Sequence, residues 1–123
     1  MIISIAEITR LRAQLLEYPD ALIALETITD CEGDLEDAAM SLAIRAGQEP
    51  QLNNSDWLPA LAKKCRAVLC QDSLRIDLIN GNWATALHLL QTSKLCPNVL
   101  AVPVLLYIEN LGVDRFCEPL DPP

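Results

Sequence analysis

A chain of 123 residues suits one small domain, and its 17 acidic against 9 basic residues leave a net charge of −8. That balance excludes a general nucleic-acid binder, which needs a basic face to displace counterions. Hydrophobic residues reach 51% with only 4% aromatic, an aliphatic excess carried by 22 leucines, and this excludes a disordered chain.

The sequence reads as all-α, six or seven short helices in a compact bundle. No window shows sustained period-2 alternation, so no strand is expected. Ser4-Ile5-Ala6-Glu7 has the form of a capping box, with Ser4 at N-cap and Glu7 at N3, and Ile3 is placed to staple onto Ile8. Ile5, Ile8, Leu11, Leu15 and Tyr18 then form one apolar stripe. Pro19 disfavours helical geometry at Tyr18 and suits the first turn of a second helix. That helix carries Ala21, Leu22, Leu25 and Ile28 on one side and stops near Cys31-Glu32-Gly33.

A third helix starts with Asp34 as N-cap and runs through Leu35, Ala38, Ala39 and Leu42 to Ala46. Glu36 and Asp37 in its first turn and Arg45 in its last both suit the helix dipole. Gln48 to Asn54 is polar, with Pro50 and an Asn53-Asn54 pair, and reads as a linker. A fourth helix follows Ser55 or Asp56, tolerates Pro59 in its first turn, and buries Leu58, Leu61, Ala62, Cys65, Val68 and Leu69. A fifth spans Ser73 to Ile79. Asn82 is expected to cap a sixth, with Trp83, Ala86, Leu87 and Leu90 inward. Pro97 opens a last helical region that Pro103 must kink or restart, ending at Leu111-Gly112.

Residues 1–123 thus read as a single helical domain, divisible into sub-bundles 1–47 and 55–112 joined by a linker over 48–54. Residues 117–123, with Pro119, Pro122 and Pro123, read as an extended tail. The longest apolar run, Val99 to Ile108, covers about half a bilayer core at roughly 1.5 Å per residue, so no membrane segment is expected. Met1-Ile2-Ile3-Ser4 has no basic region and no long apolar core, so no secretory leader and a cytoplasmic location are expected.

Two segments repeat one pattern. Gly33-Asp34-Leu35-Glu36-Asp37-Ala38 and Gly81-Asn82-Trp83-Ala84-Thr85-Ala86 each read Gly, Asp or Asn, apolar, x, x, Ala, with Leu42 and Leu90 following. Gly reverses the chain, the polar residue caps, and Ala lets the new helix approach its neighbour. A duplication and the convergence of two tight helix turns both account for this.

Helix, short turn, helix, then Gly33-Asp34-Leu35 with Ala38 and Leu42 opening a third helix resembles the ubiquitin-associated (UBA-like) three-helix module. It is also similar to the amino-terminal domain of elongation factor Ts. The resemblance covers residues 4–47 and implies a three-helix fold there. Ubiquitin-binding members carry a Met-Gly-aromatic loop between the first two helices. Leu16-Glu17-Tyr18-Pro19 stands in its place, so the resemblance does not carry ubiquitin binding with it. The texture of the remaining residues resembles small all-helical proteins from cyanobacterial genomes.

Chemistry-bearing residues are sparse. His88 is the only histidine and the only side chain with an unperturbed pKa near neutrality; its place beside the apolar stripe suits a partly exposed helix residue. The five cysteines, Cys31, Cys65, Cys70, Cys96 and Cys117, show no Cys-x-x-Cys spacing, which argues against zinc. Cys65 and Cys70 lie about 140° apart around a helix. The cysteines therefore read as buried or half-buried free thiols in a reducing compartment. Asp30 to Asp34 lacks the twelve-residue calcium-loop pattern. No catalytic residue, cofactor or metal is expected.

Two surfaces are candidates for interaction. Glu17 to Asp37 holds eight acids and no Lys or Arg, and Glu17, Asp20, Glu26, Asp30, Glu32, Glu36 and Asp37 make a candidate docking face for a basic protein partner. The alternative is a solvated surface that keeps an aliphatic chain soluble. Around Val99, Val102, Leu105 and Leu106 the last helix is apolar in nearly every direction, which demands either a central position or a subunit interface, here a twofold homodimer. The expected function is a small cytosolic adaptor, not an enzyme. A thiol- or ligand-responsive regulatory bundle is the second reading, and an enzyme of unrecognised class the third.

Overall fold

The computed structural model describes residues 1–47 and 57–122. The linker expected over 48–54 and the cap expected at Ser55 or Asp56 lie outside the described residues. Among the described residues there are nine α-helices and no strand, so the chain is all-α with more helices than the expected six or seven. The excess comes from the two shortest, α5 (Arg66–Leu69) and α9 (Val113–Cys117).

The first unit is α1 (Ile5–Gln14), α2 (Pro19–Asp30) and α3 (Leu35–Arg45). Ser4 caps α1 by accepting the Glu7 N–H at 3.1 Å. The box is completed on one side only, because the Glu7 carboxylate turns instead to the Arg10 guanidinium at 2.7 and 3.0 Å. Ile8, Leu11 and Leu15 are buried as the stripe requires. Ile5 is 83% exposed, since it lies a turn beyond the edge of the packed surface.

Between α2 and α3 the chain reverses through two left-handed residues, Glu32 (φ 57°) and Gly33 (φ 86°). A Cβ on Gly33 would sit 2.6 Å from the Ile3 carbonyl oxygen. The reason is a short antiparallel bridge that lays the N-terminal residues across this turn. Ile3 N–H donates to the Gly33 carbonyl at 2.8 Å and Leu35 N–H to the Met1 carbonyl at 3.0 Å. Asp34 then caps α3 through the Asp37 N–H.

The second half holds α4 (Trp57–Lys64), α5, α6 (Asp72–Ile79), α7 (Ala84–Ser93), α8 (Ala101–Leu111) and α9. The single fourth helix expected through Leu69 is split at Cys65, whose N–H donates to the Ala62 carbonyl three residues back. The tighter turn keeps Cys65 and Leu69 on the core side and leaves Val68 half-buried. Pro103 restarts the last helix: a 3-10 turn over Asn98–Leu100 precedes α8, and Pro103 falls at N3, where the N–H it lacks has no intrahelical partner.

α8 is the hub. It packs against α2, α3, α4, α7 and α9, and Val102, Leu105 and Leu106 are at most 2% exposed. The apolar interface expected at Val99, Val102, Leu105 and Leu106 is therefore corrected. Three of these side chains already fill the chain's own core, and Val99 is half-buried beside them. The aliphatic excess is spent inside, where each fully buried leucine contributes about 1.5–3 kcal/mol.

The extended tail is also corrected. α9 ends at Cys117, a 3-10 turn covers Glu118–Leu120, and Cys117 is joined to Cys70 by a disulfide. Arg66 donates to the Phe116 carbonyl at 2.8 Å and stacks over its ring at 4.8 Å. Arg75 grips Asp121 with two hydrogen bonds, at 2.7 and 3.1 Å, and Asp114 at 3.0 Å. Prolines exclude a long helix here, yet three side chains from α5, its C-cap and α6 hold the segment down.

Candidate functional site: an acidic helix pair and the groups behind it

Glu26 and Asp30 lie one turn apart on α2, and Glu36 and Asp37 occupy the first turn of α3. The tight turn at Glu32-Gly33 brings the end of α2 to the start of α3, so acids distant in helical phase share one corner. Glu17, Glu26, Asp30, Glu32, Glu36 and Asp37 are exposed, and Asp20 is half-buried. Among the described residues one of these seven has an ion-pair partner: Glu36 accepts from the Met1 ammonium at 2.9 Å, which raises the amine's pKa.

The dipoles treat the two helices differently. Glu36 and Asp37 are favoured at the positive end of α3. Asp30 closes α2 at its negative end, with no basic residue in that last turn. The corner is crowded enough to act on Cys31, whose thiol is pushed up by burial and then by Asp37, Asp30 and Asp34.

Behind this unit a polar cluster joins the two halves of the fold. The Gln14 side-chain oxygen accepts the Trp83 backbone N–H, and its Nε2 donates to the Gly81 carbonyl at 2.9 Å, where Arg10 also donates at 2.9 Å. Trp83, not Asn82, is therefore the N-cap residue of α7. No side chain of its own caps this start, and the Trp83 N–H is met from α1 by Gln14.

The indole of Trp83 is fully buried and donates to the Glu109 carboxylate at 3.0 Å. Burial, then the neighbouring Glu7 carboxylate, pushes Glu109 up to about 7, while the Trp83 N–H and Arg10 oppose the shift. Arg10 in turn holds Glu7 below its usual range. Glu109 is thus a group drawn toward neutrality, and His88 is exposed on α7. Sequence reading missed this cluster. Its one trace is the spacing of Glu7, Arg10 and Gln14 by three and four, a polar stripe along α1.

The thiols differ from the expectation of five free ones. Cys70 and Cys117 are bonded, leaving Cys31, Cys65 and Cys96 free. Cys65 and Cys96 are both buried; the Cys65 Sγ donates to the Leu61 carbonyl at 3.7 Å, and each thiol acts on the other, Cys96 pushed up and Cys65 lowered. Cys65 and Cys70, at opposite ends of α5, do not meet.

Among the described residues no group of His, Cys, Asp or Glu could hold a metal ion, and no helix is long and apolar enough to cross a membrane. The internal echo is partial. Both glycines are left-handed, and Leu35, Ala38, Leu42 and Trp83, Ala86, Leu90 are buried in register, but the cap is shifted by one residue in the second copy. No protein-family model, curated protein or solved structure matches this chain.

Proposed function

We propose that the chain is a small non-enzymatic interaction protein that docks the basic surface of a protein partner on the acidic corner of α2 and α3. The observation that carries this reading is Asp30 at the end of α2. A carboxylate at a helix C-terminus, without a cation in the same turn and beside Glu32 and Asp37, opposes both the dipole and its neighbours. A face needed only for solvation has no reason to gather its charges there. The α1–α3 order suits a UBA-like or elongation factor Ts-like module, which is part of the same reading. Leu16-Glu17-Tyr18-Pro19 keeps ubiquitin out of it.

The reading includes a cytoplasmic location, and the Cys70–Cys117 bond is the observation that weighs against it, since reducing compartments keep such thiols apart. It also includes a homodimer, through a surface other than α8. The thiol-responsive alternative is favoured by two buried free thiols, Cys65 and Cys96, that shift each other's pKa: a peroxide or a disulfide that oxidised the pair, and was itself reduced, would tie the α4–α5 turn to the segment after α7.

A pull-down comparing the wild type with the E26Q/D30N/E32Q/D37N variant tests the docking reading. A specific partner retained by the wild type at low salt, and absent with the variant, is expected. Retention that survives both neutralisation and about 0.5 M salt contradicts it, because such screening shrinks the reach of exposed charges to a few Å.

A further inference from the structure

Part of the described surface is basic. A cleft of about 620 Å³ opens where the ends of α3, α4 and α7 meet, and Arg45, Lys64 and Lys94 all line it. These are three of the chain's nine cations, in a chain with 17 acids available to pair with them. Among the described residues none of the three is in an ion pair, and no carboxylate lines the cleft. All three side chains are exposed, so they stand at the rim. Leu61, Leu95 and Val99 are half-buried and Cys96 is buried, so the floor is mainly apolar, with half-buried Asn98 beside them.

Each cation has a local reason to be near a helix end. Arg45 and Lys64 are in the last turns of α3 and α4, and Lys94 is the C-cap of α7. A helix C-terminus presents about half a negative charge, and the effect fades within one turn. Three ends therefore offset roughly half of three full charges, and the cleft keeps a positive excess over an apolar floor. The volume lies within the range of small-molecule sites, about 300–1,000 Å³.

We infer that this cleft binds a small amphiphilic anion, an oxyanion head held by Lys64, Lys94 and Arg45 with its apolar body on Leu61, Leu95 and Val99. The site stands apart from the acidic corner, and its test does not depend on a protein partner.

Two fluorescent probes share one apolar body: 1-anilinonaphthalene-8-sulfonate carries an anionic head and N-phenyl-1-naphthylamine carries none. The sulfonate is expected to bind at least about ten-fold more tightly, and the K64Q/K94Q variant to lose about that factor. The uncharged probe should bind wild type and variant alike. Both lysines are exposed, and an unchanged circular dichroism spectrum confirms that the variant is folded. Displacement of the sulfonate by decanoate or by decyl phosphate supports the site, and the stronger competitor assigns a carboxylate or a phosphate head. Equal affinity for the two probes, unchanged sulfonate binding by the variant, or displacement by neither competitor overturns the inference.

Discussion

The side-chain amide of Gln14 clamps the backbone at Trp83, accepting its N–H while donating to the Gly81 carbonyl at 2.9 Å. One residue of α1 thereby starts α7, and the two halves of the fold are coupled through a turn that carries no cap of its own. Gln14→Ala removes both bonds; Arg10 still serves Gly81, but the Trp83 N–H, next to a fully buried ring, loses its partner. The expected cost is about 1–3 kcal/mol in urea unfolding. Gln14→Glu keeps an acceptor for Trp83 and should cost less. Equal stability of Gln14→Ala and wild type would remove the clamp from the account.

Glu109 gives stability a pH signature. Its folded pKa of about 7 lies above its ordinary value of 4.5, so between these limits the folded chain binds more protons than the unfolded one. Stability from this group is full below pH 4.5 and declines as pH rises to about 7. Glu7 is held low and acts in the opposite sense, losing its contribution as pH falls below the ordinary carboxylate range, so the two windows separate. Glu109→Gln keeps an acceptor for the Trp83 indole without the charge. Its Tm, relative to wild type, is expected to rise across pH 4.5–7. A constant difference over that range contradicts the assignment.

Gly33 and Gly47 have similar left-handed φ values, 86° and 81°, and differ in surroundings. A Cβ at Gly47 meets nothing within 4 Å, whereas at Gly33 it meets the Ile3 carbonyl oxygen at 2.6 Å. Gly47→Ala should cost only the backbone term, about 1–2 kcal/mol. Gly33→Ala must also dislodge the N-terminal bridge, and chemical denaturation should show it clearly the less stable of the two. The reverse order would mean the bridge does not hold in solution.

The disulfide closes a loop of 47 residues between α5 and α9. Chain entropy assigns such a loop roughly 4 kcal/mol, with measured losses of about 2–5 kcal/mol. Titration under denaturing, non-reducing conditions is expected to find three thiols, and five after reduction. Cys70→Ser/Cys117→Ser should unfold at lower denaturant. Five thiols before reduction would return the protein to the all-thiol expectation and support the cytoplasmic reading.

Local signals were legible in the sequence and distant partnerships were not. Ser4 and Asp34 cap as their spacing implies, Pro19 opens α2, and Leu35, Ala38 and Leu42 are buried, because each rests on contacts within a few residues or on one helical face. Asn82 misled because α7 starts one residue later, at Trp83, whose N–H is held by Gln14, 69 residues earlier. The apolar run from Val99 left two solutions open, and which helices surround α8 is a property of the assembled chain. Cys70 with Cys117, and Arg75 with Asp114 and Asp121, are likewise pairings that no periodicity marks. In the candidate face, the charge run and its reversal at Gly33 were visible, but the N-terminal bridge laid across that turn was not.

A photo-crosslinking residue at exposed Thr29, between Glu26 and Asp30, tests the docking claim most directly, with one at exposed Thr92 on α7 as its control. The account predicts one discrete adduct from Thr29 in a lysate of the source cells, none from Thr92, and loss of the Thr29 adduct in the E26Q/D30N/E32Q/D37N variant and at about 0.5 M salt. Identical adducts from both positions, or a Thr29 adduct indifferent to neutralisation and salt, would contradict it.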